Sequence, residues 1–384
     1  MQRFLLVARI ALLLVSAGAQ LRLFWLIWQA GAAPDFRSFM IAGEAANQGL
    51  DPYVNYPQLI KVTGMGHTWA YPNLNPPVSV LPMQLLASVD YGVARTLWAG
   101  GSALLYVGTV LGLARHYAAP GTRWRVAGML LLDGFWSAMS LGQLYMLLLV
   151  PTALAVLLGE RRPGWSGFWL GALIAIKPQF LLWSLLLGGA RHWRIALVSV
   201  ATAAGIGITP LFFGHADWYP DWISGIRANS ILTQFPNNVS LVSLLQRLGF
   251  PMELALATAV AFATAVALLV VWRRPAPATI AGLAVSTVIL ASPISWTGYS
   301  VFLVPVLLAA GRWSRPLVAG LHVLIVPGIL LWQTTGSFVV YTLGLACCLG
   351  AFAREAWQGD RAGAQGRVLE KQAEPGYSVA SIHS

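Results

Sequence analysis

The sequence predicts an all-α, polytopic membrane protein with about twelve spans. Of its 384 residues, 57% are hydrophobic and 10% are charged, and the mean hydropathy is +0.68, which is far from a soluble composition. Apolar runs alternate with connectors along most of the chain. The formal net charge is +11, but the cations lie in small groups on the connectors, as in the cytoplasmic loops of membrane proteins. This placement argues against nucleic acid as a partner, because a nucleic-acid interface needs a basic patch.

The chain begins with a short apolar run that carries Arg3 and Arg9 and is followed by small residues at 16–20. This pattern is typical of a cleaved signal peptide. Apolar residues continue through 21–28, however, so we favour an uncleaved first span.

Residues 29–91 form a long polar stretch, which we predict to be a large extracytoplasmic loop with interfacial helices. Long loops with structure of their own are usually functional. Pro34 followed by Asp35 suits a helix N-terminus, where a carboxylate meets unpaired N–H groups. Phe36 and Phe39 then share one face, which predicts a helix lying along the membrane surface.

The basic connectors that follow divide the chain into hairpins that leave the cytoplasm and return. The midpoints of three such hairpins fall at residues 140–143, 177–179 and 292–296. Several hairpin arms are short, and helices that stop short leave a cavity open to one side of the membrane. At Lys177-Pro178, proline is expected to end the helix and lysine to line this cavity.

Domain boundaries follow from the same pattern. We predict an integral membrane domain over residues 1–354, with a second extracytoplasmic loop at 214–253 and both chain ends in the cytoplasm. Residues 355–384 are polar and rich in Gly, Ala and Gln, which predicts a disordered cytoplasmic tail.

Three charged residues are candidates for chemistry. Asp35, facing an outer cavity, is either a general base that takes a proton from a hydroxyl or a helix cap. Lys177 is either the partner of an anionic group such as a lipid phosphate or a lysine that reaches the interface from a helix end. Arg37 is a second candidate for phosphate binding, although a lone surface arginine is usually solvated.

Several polar and aromatic residues of the outer connectors are candidates for binding a sugar or an acceptor, with turn, cap and interface-anchor roles as the alternatives. They are Tyr71, Asn73, Asn75, Gln143, Asn237, Asn238 and Trp296. The sequence has no phosphate-binding glycine loop, no dinucleotide fingerprint and no closely spaced acid pair. We therefore expect no cofactor, no metal site and no nucleotide-activated donor.

These motifs resemble, in their order along the chain, the bacterial multispanning glycosyltransferases of the GT-C superfamily, specifically glycosyltransferase family 87. The matching segments are Asp35-Phe36, Asp51-Pro52-Tyr53, Tyr71-Pro72, Asn75-Pro76-Pro77, Leu141-Gly142-Gln143, Ile176-Lys177-Pro178, Asn238-Val239-Ser240-Leu241 and Ser292-Pro293-Ile294-Ser295-Trp296. The chain departs from the family twice. Tyr145 stands where the family often has Asn, and Thr297-Gly298-Tyr299 stands where the family often has His.

The resemblance implies a GT-C-like fold and a polyprenyl-phosphate-sugar-dependent hexosyltransferase with Asp35 as the catalytic base. The expected reaction transfers a sugar, in the family's pattern mannose, with inversion, to a lipid- or envelope-linked glycan. The expected location is the bacterial inner membrane, with the active site on the extracytoplasmic side.

Two other functions stay open. One is a secondary transporter, for which Asp133 is the acid placed deep in a span. The other is a non-catalytic partner in glycan export, which would tolerate the loss of Asp35.

Overall fold

The protein is all-α, as the sequence predicts. The computed structural model describes residues 2–29, 33–60, 72–117, 122–228, 233, 235, 237–310, 313–328 and 339–373. It is about 80% helical, and these residues contain no strand. Pairing in the manner of a sheet is limited, within them, to one isolated antiparallel bridge between Asn238 and Trp296.

The α-helices of the described residues are, in chain order, α1 Gln2–Gln29, α2 Pro34–Asn47, α3 Val80–Ala87, α4 Tyr91–Tyr117, α5 Thr122–Leu130, α6 Asp133–Leu141, α7 Tyr145–Leu158, α8 Pro163–Ile176, α9 Leu181–Gly189, α10 Trp193–Gly207, α11 Trp218–Ala228, α12 Leu241–Arg247, α13 Met252–Arg273, α14 Pro277–Ala291, α15 Val304–Ala309, α16 Arg315–Leu324 and α17 Val339–Ala373. Short 3₁₀ turns occupy Pro77–Ser79, Pro178–Phe180, Thr209–Phe213 and Thr297–Leu303.

Five helical segments among the described residues are long and apolar enough to cross a membrane. They are Ile10–Asn47, Tyr91–Tyr117, Trp193–Phe213, Met252–Arg273 and Val339–Gln358. Five further apolar helices are shorter, between 10 and 17 residues. The total of about twelve spans, which counts such short helices as well, stays a prediction.

The short apolar helices end where the sequence predicts breaks. α7 and α8 have 14 residues each, which is roughly 21 Å of helix against a hydrocarbon thickness of about 30 Å. α8 stops at Ile176 because Pro178 disfavours helical backbone at Lys177, which takes φ −130° and ψ 80°. The irregular backbone at 142–144, 177 and 292–296 thus falls at the three predicted hairpin midpoints.

Small residues bring α8 and α10 close together. Gly167 and Gly171 lie one helical turn apart on α8 and face α10, as in the small-residue packing of membrane helices. A Cβ at Gly171 would lie 2.5 Å from the Ser199 carbonyl oxygen and from the Thr202 Cβ. Because α8 leads directly into Lys177, this packing also fixes where that lysine lies.

Two predictions about local structure were wrong. The sequence predicts α2 as a helix on the membrane surface, yet residues 36–43 are all buried within the protein, because Gly43 and the alanines of α2 let α3 pack against its second face. The predicted disordered tail, residues 355–384, begins as helix, since α17 continues to Ala373. Ala, Arg, Gln and Glu are good helix formers and extend a helix that is already nucleated.

We expect Gly171→Leu to destabilise the protein by about 1–3 kcal/mol, the usual cost of inserting methylenes into a packed contact. Thermal unfolding followed by size-exclusion fluorescence would measure this. Gly205→Leu on α10 is the control, because a Cβ there meets no atom within 4 Å. Equal melting temperatures for the two variants would contradict the packing described.

Candidate functional site

Asp35 lies at the first turn of α2, after Pro34 at the helix start. Its carboxylate is half-buried and accepts a short hydrogen bond from the Gln143 side-chain amide through Oδ2. Lys177 interacts with it electrostatically. The amide donor and the positive charge both favour the ionised carboxylate. The structure thus brings together three of the residues singled out in the sequence.

The contact between Asp35 and Gln143 depends on the glycine that precedes Gln143. Gly142 has φ +72° and a Cβ there would lie 2.5 Å from the Phe36 Cβ, so a side chain would be both strained and blocked. The Trp98 indole donates to the Gly142 carbonyl at 3.0 Å. The Trp98 ring also packs against Phe36, with centroids 5.3 Å apart. The turn after α6 is therefore fixed against the start of α2.

Lys177 lies between two tyrosine rings. Its Nζ is 5.2 Å from the centroid of Tyr145 and 5.4 Å from that of Tyr299, within the range of cation–π attraction. The two ring centroids are 4.8 Å apart. The Gln179 amide donates to the Tyr299 hydroxyl at 2.9 Å. These contacts hold an ammonium group in a site that water reaches poorly, without an adjoining carboxylate to neutralise it.

Tyr145 and Tyr299 were not predicted as site residues, and they are the two positions at which the chain departs from the resembled pattern. Both are buried, and their side chains are hydrogen-bonded to each other. Gly298 makes room for the pair, since a Cβ there would lie 2.8 Å from Tyr145 Cε2. A usable signal existed: each tyrosine follows a candidate, Gln143 or Trp296, by two or three residues and so opens the next helical turn.

Asn238, predicted to bind sugar, has a structural role instead. It is 1% exposed. Its Oδ1 accepts from the backbone N–H groups of Ser240 at 3.1 Å and Ser295 at 3.2 Å, and its Nδ2 donates to the Pro293 carbonyl at 2.8 Å. The amide therefore fastens the second outer loop to the turn that carries Trp296, and no polar atom is left for a sugar.

Asn73 and Asn75 are likewise used by the fold. Both are buried, and Asn73 Oδ1 accepts from the backbone N–H and side-chain amide of Asn75, each at 3.0 Å. Tyr53 donates to the Asn75 carbonyl at 3.2 Å. Burial, with the negative charge of Asp51, raises the pKa of Tyr53, so its hydroxyl stays protonated as this bond requires. The prediction that Asn73 and Asn75 bind sugar was wrong for that reason.

Arg37, predicted to bind phosphate, points into the protein. It is 8% exposed and donates to the carbonyls of Pro57 at 3.0 Å and Ile60 at 3.1 Å. It anchors the first outer loop to α2, which a sequence motif does not reveal.

The other sugar-binding candidates have different surroundings. Asn237 and Trp296 are half-buried. Within the described part of the chain, Asn237 Oδ1 has no hydrogen-bond partner. Trp296 lies one turn before Tyr299, whose N–H donates to the Trp296 carbonyl at 2.9 Å, so both belong to the edge of the site. Tyr71 lies outside the described residues.

The arrangement has one carboxylate and one ammonium group, and it has amide and indole groups at its rim. Among the described residues, no three His, Cys, Asp or Glu side chains lie close enough to hold a metal ion. The expectation that no metal takes part stays a prediction.

Comparison with known proteins gives one match. The model of the family described as glycosyltransferase family 87 matches residues 73–293, more than half of the chain. The matched region contains Gln143, Lys177 and Trp296, and it begins after Asp35. Neither the curated proteins nor the solved structures gave a match.

Adjacent asparagines test the structural role of Asn238. We expect Asn238→Ala to destabilise the protein by about 1–3 kcal/mol, since several buried groups lose their partner. Asn237→Ala should leave the melting temperature unchanged. Thermal unfolding of the two purified variants measures both effects. A stable Asn238→Ala protein with a raised KM for a sugar substrate would favour the binding role instead.

Proposed function

The chain belongs to glycosyltransferase family 87, a family of GT-C-type membrane glycosyltransferases, and from this premise we propose a specific reaction for it. The protein transfers a sugar, mannose, from a polyprenyl-phosphate donor to a lipid- or envelope-linked acceptor with inversion. It does so at the outer face of the bacterial inner membrane, and Asp35 is the general base.

The observation that carries the proposal is the half-buried Asp35 carboxylate, oriented by Gln143 and close enough to Lys177 to interact with it. An acceptor hydroxyl oxygen attacks the anomeric carbon and gives its proton to Asp35. The bond between that carbon and the phosphate oxygen breaks, and the polyprenyl phosphate leaves as a monoester. Lys177 stabilises the negative charge that develops on the departing phosphate.

Cation–π contacts suit Lys177 to this role. The rings of Tyr145 and Tyr299 attract the ammonium without cancelling its charge, whereas a carboxylate partner would neutralise it. A lysine that is held but not neutralised remains able to bind an anion. The family relationship supports a sugar donor of some kind, and the uncancelled cation supports a phosphate leaving group.

The sidedness of the site follows from the positions of the turns. The basic turns at 159–163 and 190–192 carry the exposed residues Arg161, Arg162 and Arg191. The turns at Gln143 and Lys177 alternate with them along the chain, so they lie at the opposite ends of the intervening helices. Because cytoplasmic loops are enriched in Lys and Arg, the site is placed on the extracytoplasmic side.

The transporter alternative has less support. Asp133 is buried at the start of α6. It accepts hydrogen bonds from the Gln20 amide at 3.0 Å and the Gly328 N–H at 2.9 Å. A carboxylate used in this way joins α1, α6 and the turn after α16, which is a structural role. A non-catalytic partner in glycan export is excluded or supported by the Asp35 variant below.

Asp35→Asn should lower the rate of transfer at least about 10²-fold, the usual share of a general base, while donor binding is kept. Membranes supplied with radiolabelled polyprenyl-phosphate mannose give the rate. Asp51→Asn is the matched control, since Asp51 caps a turn by accepting from the Tyr53 N–H at 2.8 Å and should transfer normally. Undiminished turnover by Asp35→Asn would exclude the proposed base.

Lys177→Ala should weaken donor binding roughly 10-fold to 100-fold, the range for losing a charge-assisted hydrogen bond, and should leave the KM for acceptor unchanged. Tyr299→Phe keeps the ring face but loses the hydroxyl that accepts from Gln179, so its donor binding should weaken less. Titration with polyprenyl phosphate measures both variants. A defect confined to the acceptor would contradict the phosphate role of Lys177.

A further inference from the structure

A narrow cleft lies beside the Asp35–Gln143 pair, between α1, α2, α4 and α6. With the open space at its mouth it measures about 360 Å³, and the lining residues used below are Trp28, Arg95, Trp98, Ala99, Ser102 and Gln143. Gln143 therefore borders the cleft and also donates to Asp35. A group inside the cleft can approach the proposed base from the side of α4, away from the end of α8 that carries Lys177.

Arg95 is the charged residue of the cleft. Its guanidinium lies 4.0 Å from the centroid of the Trp28 ring and donates to the Trp28 carbonyl at 2.6 Å. Its Nε is buried and has no hydrogen-bond partner among the described residues. Within the same residues, no carboxylate pairs with it, and the one ionisable side chain that acts on it is Tyr91. A buried guanidinium without an acid is costly unless an anion binds it.

The mouth of the cleft is apolar. Val93 and Leu97, next to Arg95 on α4, are 52% and 65% exposed, and Trp25 and Leu26 of α1 are 57% and 53% exposed. In a membrane protein such side chains face lipid tails. Arg95 is one turn from the start of α4 at Tyr91, the depth at which lipid headgroups lie. Charge and position together favour an anion that carries a lipid chain.

We propose that this cleft binds the phosphate-bearing headgroup of a lipid acceptor, with Arg95 on the phosphate and the acceptor hydroxyl presented to Asp35 beside Gln143. The inference rests on the proposed function, because it names the second substrate of that site. Inversion requires the attacking oxygen and the leaving phosphate on opposite faces of the anomeric carbon. Two cations on different helices, Arg95 on α4 and Lys177 after α8, suit two anionic lipids that approach from different sides.

The alternative is purely structural. Trp28 is next to the last residue of α1, and a cation at a helix C-terminus stabilises the terminal carbonyls. Arg125 offers a control for this role, since it also donates to a backbone carbonyl, that of Ala310 at 2.6 Å, and lies over a tryptophan, Trp313, at 5.0 Å. It lies on a basic connector, away from the cleft.

Native mass spectrometry of the delipidated full-length protein tests the binding site. Wild type should bind phosphatidylglycerol about tenfold more tightly than Arg95→Gln, which loses a hydrogen-bonded ion contact. It should not bind diacylglycerol, which lacks the phosphate. Arg125→Gln and Lys177→Ala should retain wild-type affinity. Inorganic phosphate binding as tightly as phosphatidylglycerol would overturn the lipid assignment, and equal lipid affinity of Arg95→Gln and wild type would overturn the site itself.

A second variant covers misfolding of Arg95→Gln. Ala99 lines the cleft, so Ala99→Leu should fill it and weaken phosphatidylglycerol binding while Arg95 and its contact with Trp28 remain. Wild-type affinity in Ala99→Leu would place the lipid elsewhere and overturn the proposal.

Kinetics assign the lipid to the acceptor side. In phosphatidylcholine vesicles with radiolabelled polyprenyl-phosphate mannose and a membrane lipid extract, phosphatidylglycerol should raise the KM for the extract and leave the KM for donor unchanged. A raised KM for donor alone would contradict the acceptor assignment. Normal transfer by Asp35→Asn would refute the proposed base without changing the binding result, so the two failures are distinguishable.

Discussion

The structure of the site depends on one hydrogen bond, from the Gln143 amide to the Asp35 carboxylate, between residues 108 positions apart. A carboxylate in a poorly hydrated place needs a donor, and the donor needs a backbone that carries it there. Gly142 provides that backbone because its positive φ and lack of a side chain let the turn lie against Phe36. Trp98 then holds the turn through its carbonyl.

The helices that end inside the membrane follow from the same requirement. α7 and α8 are shorter than a full span, and their ends bring irregular backbone to a cavity where polar groups can be satisfied. Lys177 is placed at such an end and is surrounded by the faces of Tyr145 and Tyr299 instead of a carboxylate. Short helices, a break and an aromatic pair thus keep an available positive charge near Asp35.

Polar residues of the outer loops divide into two groups that the sequence does not distinguish. Asn73, Asn75 and Asn238 are spent on backbone groups of the loops, whereas Gln143 reaches a functional carboxylate. An asparagine that closes a turn and one that binds a hydroxyl occur in similar polar, proline-rich segments. The difference lies in which atoms are already paired, and that is a property of the packed loops.

The sequence by itself determined the helical, membrane-embedded class, the positions of the breaks at Gly142, Lys177 and Ser292–Trp296, and the importance of Asp35, because composition and local turn chemistry encode these features. Only the tertiary structure decided that α2 is buried, that Arg37 anchors a loop, and that Tyr145 and Tyr299 enclose Lys177. Each of these depends on contacts between helices distant in sequence, such as those across Gly43 or Gly298. A periodic pattern specifies which face of a helix is apolar, but it does not specify what that face will meet.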